Sequence, residues 1–149
     1  MDFLDYPEKL KNFLLQIQDV DDREERAALL IEIADRFKPV PAEIATRPYP
    51  ANHRVPACES DAYIWATQLA DGGYKFHFAV ENPQGISAKA VAVLIDETLS
   101  GCTAEEIAKV SEDMIFTVFG KNISMGKGQG LMGMITLTKR LASQSRENY

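Results

Sequence analysis

From Tyr74 onward the chain alternates with a period of two: Tyr74, Phe76, Phe78 and Val80 are interleaved with Lys75, His77, Ala79 and Glu81. That period puts one set of side chains on one face and the other set on the opposite face, which only an extended strand can do. Asp71-Gly72-Gly73 immediately before it is a tight-turn signal, and Ala62 to Leu69 before the turn is rich in bulky, β-compatible residues. The three pieces read as a hairpin with one buried face. The extended segment around Arg54–Ala57 is a candidate third strand.

Everything else with a clear period is helical. Phe3, Tyr6, Leu10, Phe13, Leu14 and Ile17 recur at the spacing of one helix face. Asp21 or Asp22 can cap a second helix, with Glu25 three residues after Asp22 in near capping-box spacing. This helix presents Leu29, Leu30, Ile33, Ala34 and Phe37 and ends before Pro39 and Pro41. Pro39, Pro41, Pro48, Pro50 and Pro56 then keep the approach to the hairpin extended. After Asn82-Pro83-Gln84-Gly85, the residues Val91, Leu94, Ile95, Thr98 and Leu99 mark a helix that stops at Gly101. Thr103 caps a short helix with Glu106 three residues on, and Cys102 packs on Ile107 as a staple. A segment from Glu112 to Phe119 leads to a glycine-rich loop, Gly120 to Gly130. The last helix carries Leu131, Met134, Ile135, Thr138 and Leu141 or Ala142 inward. The order helix, helix, strands, helices predicts an α+β fold: a small antiparallel sheet of about three strands with helices packed on one face.

Composition narrows the function. The 149 residues suit one domain, with neither an internal repeat nor an interdomain linker. A net charge of −6 repels phosphate backbones, so nucleic acid is a poor partner. No apolar run approaches a membrane span, and Met1-Asp2-Phe3-Leu4-Asp5 is acidic where a signal peptide is basic and then apolar. The expected location is therefore the cytoplasm, or an organellar matrix or stroma after processing. Two cysteines and two histidines, scattered along the chain, give neither a disulfide framework nor zinc spacing. No phosphate-binding or dinucleotide fingerprint is present, and no metal or cofactor is expected.

Cys58 is the candidate for thiol chemistry. It sits in Arg54-Val55-Pro56-Ala57-Cys58-Glu59-Ser60-Asp61, between two periodic segments. A thiol there is either a small buried hydrophobe or a nucleophile presented on a scaffolded loop. Arg54 favours the thiolate if it folds nearby, while Glu59 and Asp61 oppose it. His53 is a candidate base for Cys58, but its place in an extended segment favours a solvated loop histidine. His77, on the polar face of a strand, reads as a surface residue. The glycines around Lys127 do not follow phosphate-loop spacing.

The run from Val55 to Trp65 resembles the SufE family of sulfur-acceptor proteins, whose motif V-x-G-C-x-S is followed by a bulky aromatic strand. Ser60 matches the family serine. Ala57 stands where glycine is usual, and Tyr63 where tryptophan is usual, with Trp65 two residues later. A second resemblance lies in Ser124-Met125-Gly126-Lys127-Gly128-Gln129-Gly130-Leu131, against a family loop S-R-x-x-G-L. Lys127 replaces the arginine and lacks its planar fork. The likeness spans nearly the whole chain, residues 1–149 as a single domain.

The resemblance implies a SufE/NifU-like fold and a persulfide on Cys58, with Arg54, Ser60 and Lys127 as supporting residues. It implies a pyridoxal-phosphate cysteine desulfurase as donor, stimulated by this chain, and an iron–sulfur scaffold or further carrier as acceptor. The chain itself would be a monomeric transfer partner without small-molecule turnover. Two other classes compete. A cysteine-nucleophile hydrolase or transferase requires His53 or His77 beside Cys58; a plain interaction module requires no thiol chemistry at all.

Overall fold

The computed structural model describes residues 3–147. Six helices and one hairpin follow in order: α1 Glu8–Ile17, α2 Arg23–Ala34, β1 Ala62–Gln68, β2 Tyr74–Val80, α3 Ile86–Leu99, α4 Ala104–Ala108, α5 Met114–Phe119 and α6 Met125–Glu147. The class is α+β, as expected. The strands pair antiparallel, with Ile64 opposite Phe78 and Ala66 opposite Phe76.

The period of two is realised as two faces. Ala62 and Ile64 on β1, with Tyr74, Phe76 and Phe78 on β2, point into the main core. The helices cover this face: α3 lies on β2 and α6 on β1, while α1 and α2 pack behind α3. Leu10 and Leu14 of α1 are 0% exposed and Ile17 is 1%. Burial of each such side chain stabilises the fold by about 1.5–3 kcal/mol.

The opposite face is closed by chain without regular structure. Val40, Trp65 and Ala79 are buried there, with Ile44, Ala45, Tyr49 and Tyr63 packed around them. The proline-bearing segment thus serves as a lid over the sheet, and its prolines remove donors that an extended lid would otherwise leave unpaired.

The third strand is not formed. Arg54 makes one antiparallel bridge to Tyr63, and Pro39 one parallel bridge to Phe78 on the other edge. Val55 N–H donates to the Ala62 carbonyl at 2.8 Å. There the ladder stops. Pro56 has no donor to extend it, and Ala57 turns to φ +60°.

Helix ends follow local chemistry. Asp22 caps α2 by accepting from Glu24 N–H at 3.0 Å. Glu25 does not complete a box there. Thr103 and Glu106 do form one at α4. α1 begins at Glu8, after Pro7, so Phe3 and Tyr6 precede the helix although both are buried. The largest departure concerns the glycines. Residues Gly126, Gly128 and Gly130 belong to α6, which begins at Met125 instead of Leu131. No helix among the described residues is long and apolar enough to cross a membrane.

Candidate functional site

The loop from Val55 to Asp61 carries Cys58 and is held at its neck. The Arg54 guanidinium pairs with Asp61, its Nε lying 3.2 Å from Oδ1. Asp61 N–H donates to the Cys58 carbonyl at 3.3 Å, and Asn82 N–H donates to the Ser60 carbonyl at 3.1 Å. Ala57 and Asp61 both adopt positive φ, +60° and +50°. That conformation costs an alanine about 1–2 kcal/mol.

The floor beneath the loop is the backbone of α6. A Cβ on Gly130 would stand 3.1 Å from the Ala57 carbonyl oxygen and 3.2 Å from Cys58 Cα. A Cβ on Gly133 would stand 3.2 Å from Val55 Cγ1. The glycines let loop and helix meet backbone to backbone. A third glycine shapes the side wall: a Cβ on Gly85, at the start of α3, would meet Val80 Cγ1 at 2.8 Å and Ser60 Oγ at 3.0 Å.

Cys58 is 6% exposed and faces an open cavity of about 690 Å³. One wall is α2, through Ala27, Leu30 and Ile31; the other walls are the first residues of α3 and α6, with Phe119 beside them. Two helix N-termini therefore border the same space. α3 has no side-chain cap; at α6, Ser124 Oγ accepts from Lys127 N–H at 3.3 Å. Both ends offer partial positive charge to an anion.

Of the residues singled out from sequence, Cys58, Ser60 and Lys127 line this cavity together. Arg54 does not line it. Its guanidinium is held above the ordinary value by the hydrogen bond from it to Asp61 and by that carboxylate's charge, with a smaller contribution from Cys58. Neither histidine lines the cavity. His53 Nδ1 lies 2.8 Å from the Ile64 carbonyl oxygen, which can only accept, so Nδ1 carries the proton. Its ring stacks on Trp65 at 5.3 Å. His53 is thus a fixed part of the outer sheet face and not a solvated loop residue. His77 is half-buried, and burial pushes it below its ordinary value. The hydrolase reading, which requires His53 or His77 beside Cys58, thus finds neither histidine among the residues that line the cavity. Cys102 is partly buried against the core, with its thiol directed to the Thr98 carbonyl. No cluster of three or more potential metal ligands occurs among the described residues.

Sequence reasoning missed Gly133, Gly85 and the α2 wall. Gly126, Gly130 and Gly133 do share one face at helical spacing, which was the available signal. The α2 wall had none, because its contact with the loop is made only in three dimensions.

Fold and site define a small α+β domain that keeps one thiol at the floor of an open cavity, between two helix N-termini. The chain belongs to the SufE family, described as an Fe-S metabolism associated domain, whose profile matches residues 11–142. Its role thus lies in iron–sulfur metabolism. The fold is similar to the solution structure of a hypothetical protein from Thermus thermophilus, with 25% identity and a TM-score of 0.67 over 95% of this chain and 96% of that one. No curated protein matches the chain.

Proposed function

We propose that this chain carries sulfur as a persulfide on Cys58, taking it from a pyridoxal-phosphate cysteine desulfurase and passing it toward iron–sulfur cluster assembly. The Cys58 thiolate attacks the terminal sulfur of the desulfurase persulfide. A new S–S bond forms on Cys58, the donor S–S bond breaks, and the desulfurase cysteine leaves as thiolate. Removing that persulfide frees the desulfurase for another turnover, which is how the chain stimulates its partner. An iron–sulfur scaffold or a further carrier then takes the sulfur. The chain is a covalent transfer partner and not an enzyme with its own turnover.

The observation that carries this reading is Cys58 at the floor of the cavity, with Lys127 and two helix N-termini around it. A persulfide's terminal sulfur is anionic once ionised, and helix N-termini favour a negative charge. Cys58 is itself only 6% exposed, so little of its own surface meets solvent. Cys102 lies outside the cavity lining, so the persulfide has no second thiol of this chain at the site to close a disulfide with and expel sulfide.

Intact-protein mass spectrometry tests the proposal. The chain is mixed with a cysteine desulfurase and cysteine, without reductant. The expected result is a gain of one sulfur atom that maps to Cys58 and disappears in Cys58→Ser. Absence of added sulfur on the wild-type chain across several desulfurases overturns it.

A further inference from the structure

We infer that the Cys58 cavity also binds a small zwitterionic hydropersulfide, of amino-acid size, from which Cys58 takes sulfur without a protein donor. This rests on the sulfur-carrier reading of Cys58 and names a second class of donor for the same site.

Size is the first argument. The cavity holds about 690 Å³, within the range of roughly 300–1,000 Å³ common to small-molecule sites. Sheltering one transferred sulfur atom needs far less. The space is also open, so a diffusible molecule reaches the thiol without displacing a helix.

Charge is the second. The cavity lining contains one acidic side chain, Glu59, and one basic side chain, Lys127. Both are exposed, and neither forms an ion pair or side-chain hydrogen bond among the described residues. Opposite charges left unpaired around one cavity match a ligand that bears both an ammonium and a carboxylate. Lys127 supplies a donor for the carboxylate, and so does the first turn of α3 beyond Ile86, whose own amide donates to the Gln84 carbonyl at 2.9 Å. Glu59 supplies the acceptor for the ammonium.

The third is the thiol itself. Cys58 is 6% exposed and faces the cavity, and its sulfur has no hydrogen-bond partner among the described residues. Leu30, Phe119 and Leu131 add apolar wall for a methylene and its two sulfurs. The reaction balances without an oxidant. Cys58–S⁻ attacks the outer sulfur of R–S–SH, an S–S bond forms between Cys58 and that sulfur, the donor's own S–S bond breaks, and R–S⁻ leaves to take a proton from water. Cys58 holds S–SH, and the free thiol R–SH departs.

The test uses the full chain without desulfurase and two sulfur donors: cysteine hydropersulfide and its N-acetyl methyl ester. Loading is followed by intact mass with peptide mapping. The zwitterion is expected to load Cys58 with saturation, and roughly tenfold faster than the blocked ester at low concentration, the scale of one charged hydrogen bond. Lys127→Gln and Glu59→Gln should each erase most of that preference, read as the ratio of zwitterion to ester loading rate within each variant. Equal, unsaturable rates for zwitterion and ester overturn the inference, as does equal loading of Cys102. The same preparation is also loaded by a desulfurase with cysteine. If the desulfurase loads Cys58 and the zwitterion shows no preference, this inference fails and the carrier reading stands. If the zwitterion loads selectively and the desulfurase does not, the desulfurase partnership fails and the cavity assignment stands.

Discussion

Ala57 occupies the left-handed region at φ +60°, one residue before Cys58. Glycine adopts that φ without a Cβ penalty, but loses more backbone freedom on folding. The difference favours glycine, so Ala57→Gly should raise stability by about 0.5–1 kcal/mol in urea denaturation. No gain would show that the loop does not hold this turn in solution. Gly130 is the complementary case. Alanine there gains helix propensity of about 1 kcal/mol, but its Cβ presses on Ala57 O and Cys58 Cα at 3.1 and 3.2 Å. The loop must give way, so Gly130→Ala should speed alkylation of Cys58 several-fold relative to Cys102. An unchanged ratio of the two rates would mean the loop does not rest on α6.

Between elements, Arg26 of α2 performs a bracing role that periodicity does not reveal. Its Nη1 donates to the carbonyls of Thr117 at 2.7 Å and Val118 at 2.9 Å, and Nη2 to Val20 at 2.8 Å. Nη2 also donates to Ile17 at 3.3 Å. The Thr117, Val118 and Ile17 carbonyls lie in the last turns of α5 and α1, where helices leave acceptors without intrahelical partners and negative charge accumulates. Arg26→Ala should cost about 2–3 kcal/mol in thermal or chemical unfolding. Arg26→Lys should recover less than half, because an ammonium lacks the fork that reaches both helix ends. Full recovery by lysine would show that charge alone matters. Because α5 leads into Phe119 and then α6, the brace also sets the far wall of the Cys58 cavity against α2.

Across the whole molecule, stability should fall with acid in two steps. Burial and the neighbouring Lys75 charge hold His77 below its ordinary value of 6.5, against Asp96 and Glu43. The folded state therefore binds this proton less readily than the unfolded one. Its contribution is complete above 6.5 and is lost as pH falls through the lowered value. Burial pushes Glu112 up, but hydrogen bonds from Thr136, its own backbone amide and Lys139 outweigh it and hold the carboxyl below its ordinary 4.5. That stabilisation is present above 4.5 and is lost as pH falls through the lowered value. A series of melting temperatures against pH should show both steps, and His77→Gln should remove only the upper one. An unaltered upper step in that variant would assign it elsewhere.

Much of this is written locally. The hairpin follows from the alternation of Tyr74, Phe76 and Phe78 around a turn at Gly72-Gly73. The amphipathic faces of α1 and α3, the Thr103–Glu106 cap and the choice of Cys58 depend on residues near one another in the chain, where spacing is enough to specify direction. The third strand and the glycine-rich loop escape such reading because distant contacts decide them. Arg54–Ala57 has strand-compatible neighbours, but whether it pairs depends on where Pro56 and the turn at Ala57 leave its donors. Gly126, Gly128 and Gly130 have poor helix propensity, yet α6 runs through them because packing against the Cys58 loop and the β1 face outweighs roughly 1 kcal/mol per glycine. The sequence by itself therefore determined the class of fold and singled out Cys58 as the candidate thiol. Only the tertiary structure decided that Lys127 and Ser60 would share a cavity with Cys58 while His53 and Arg54 would not, since that depends on contacts between segments distant in the chain.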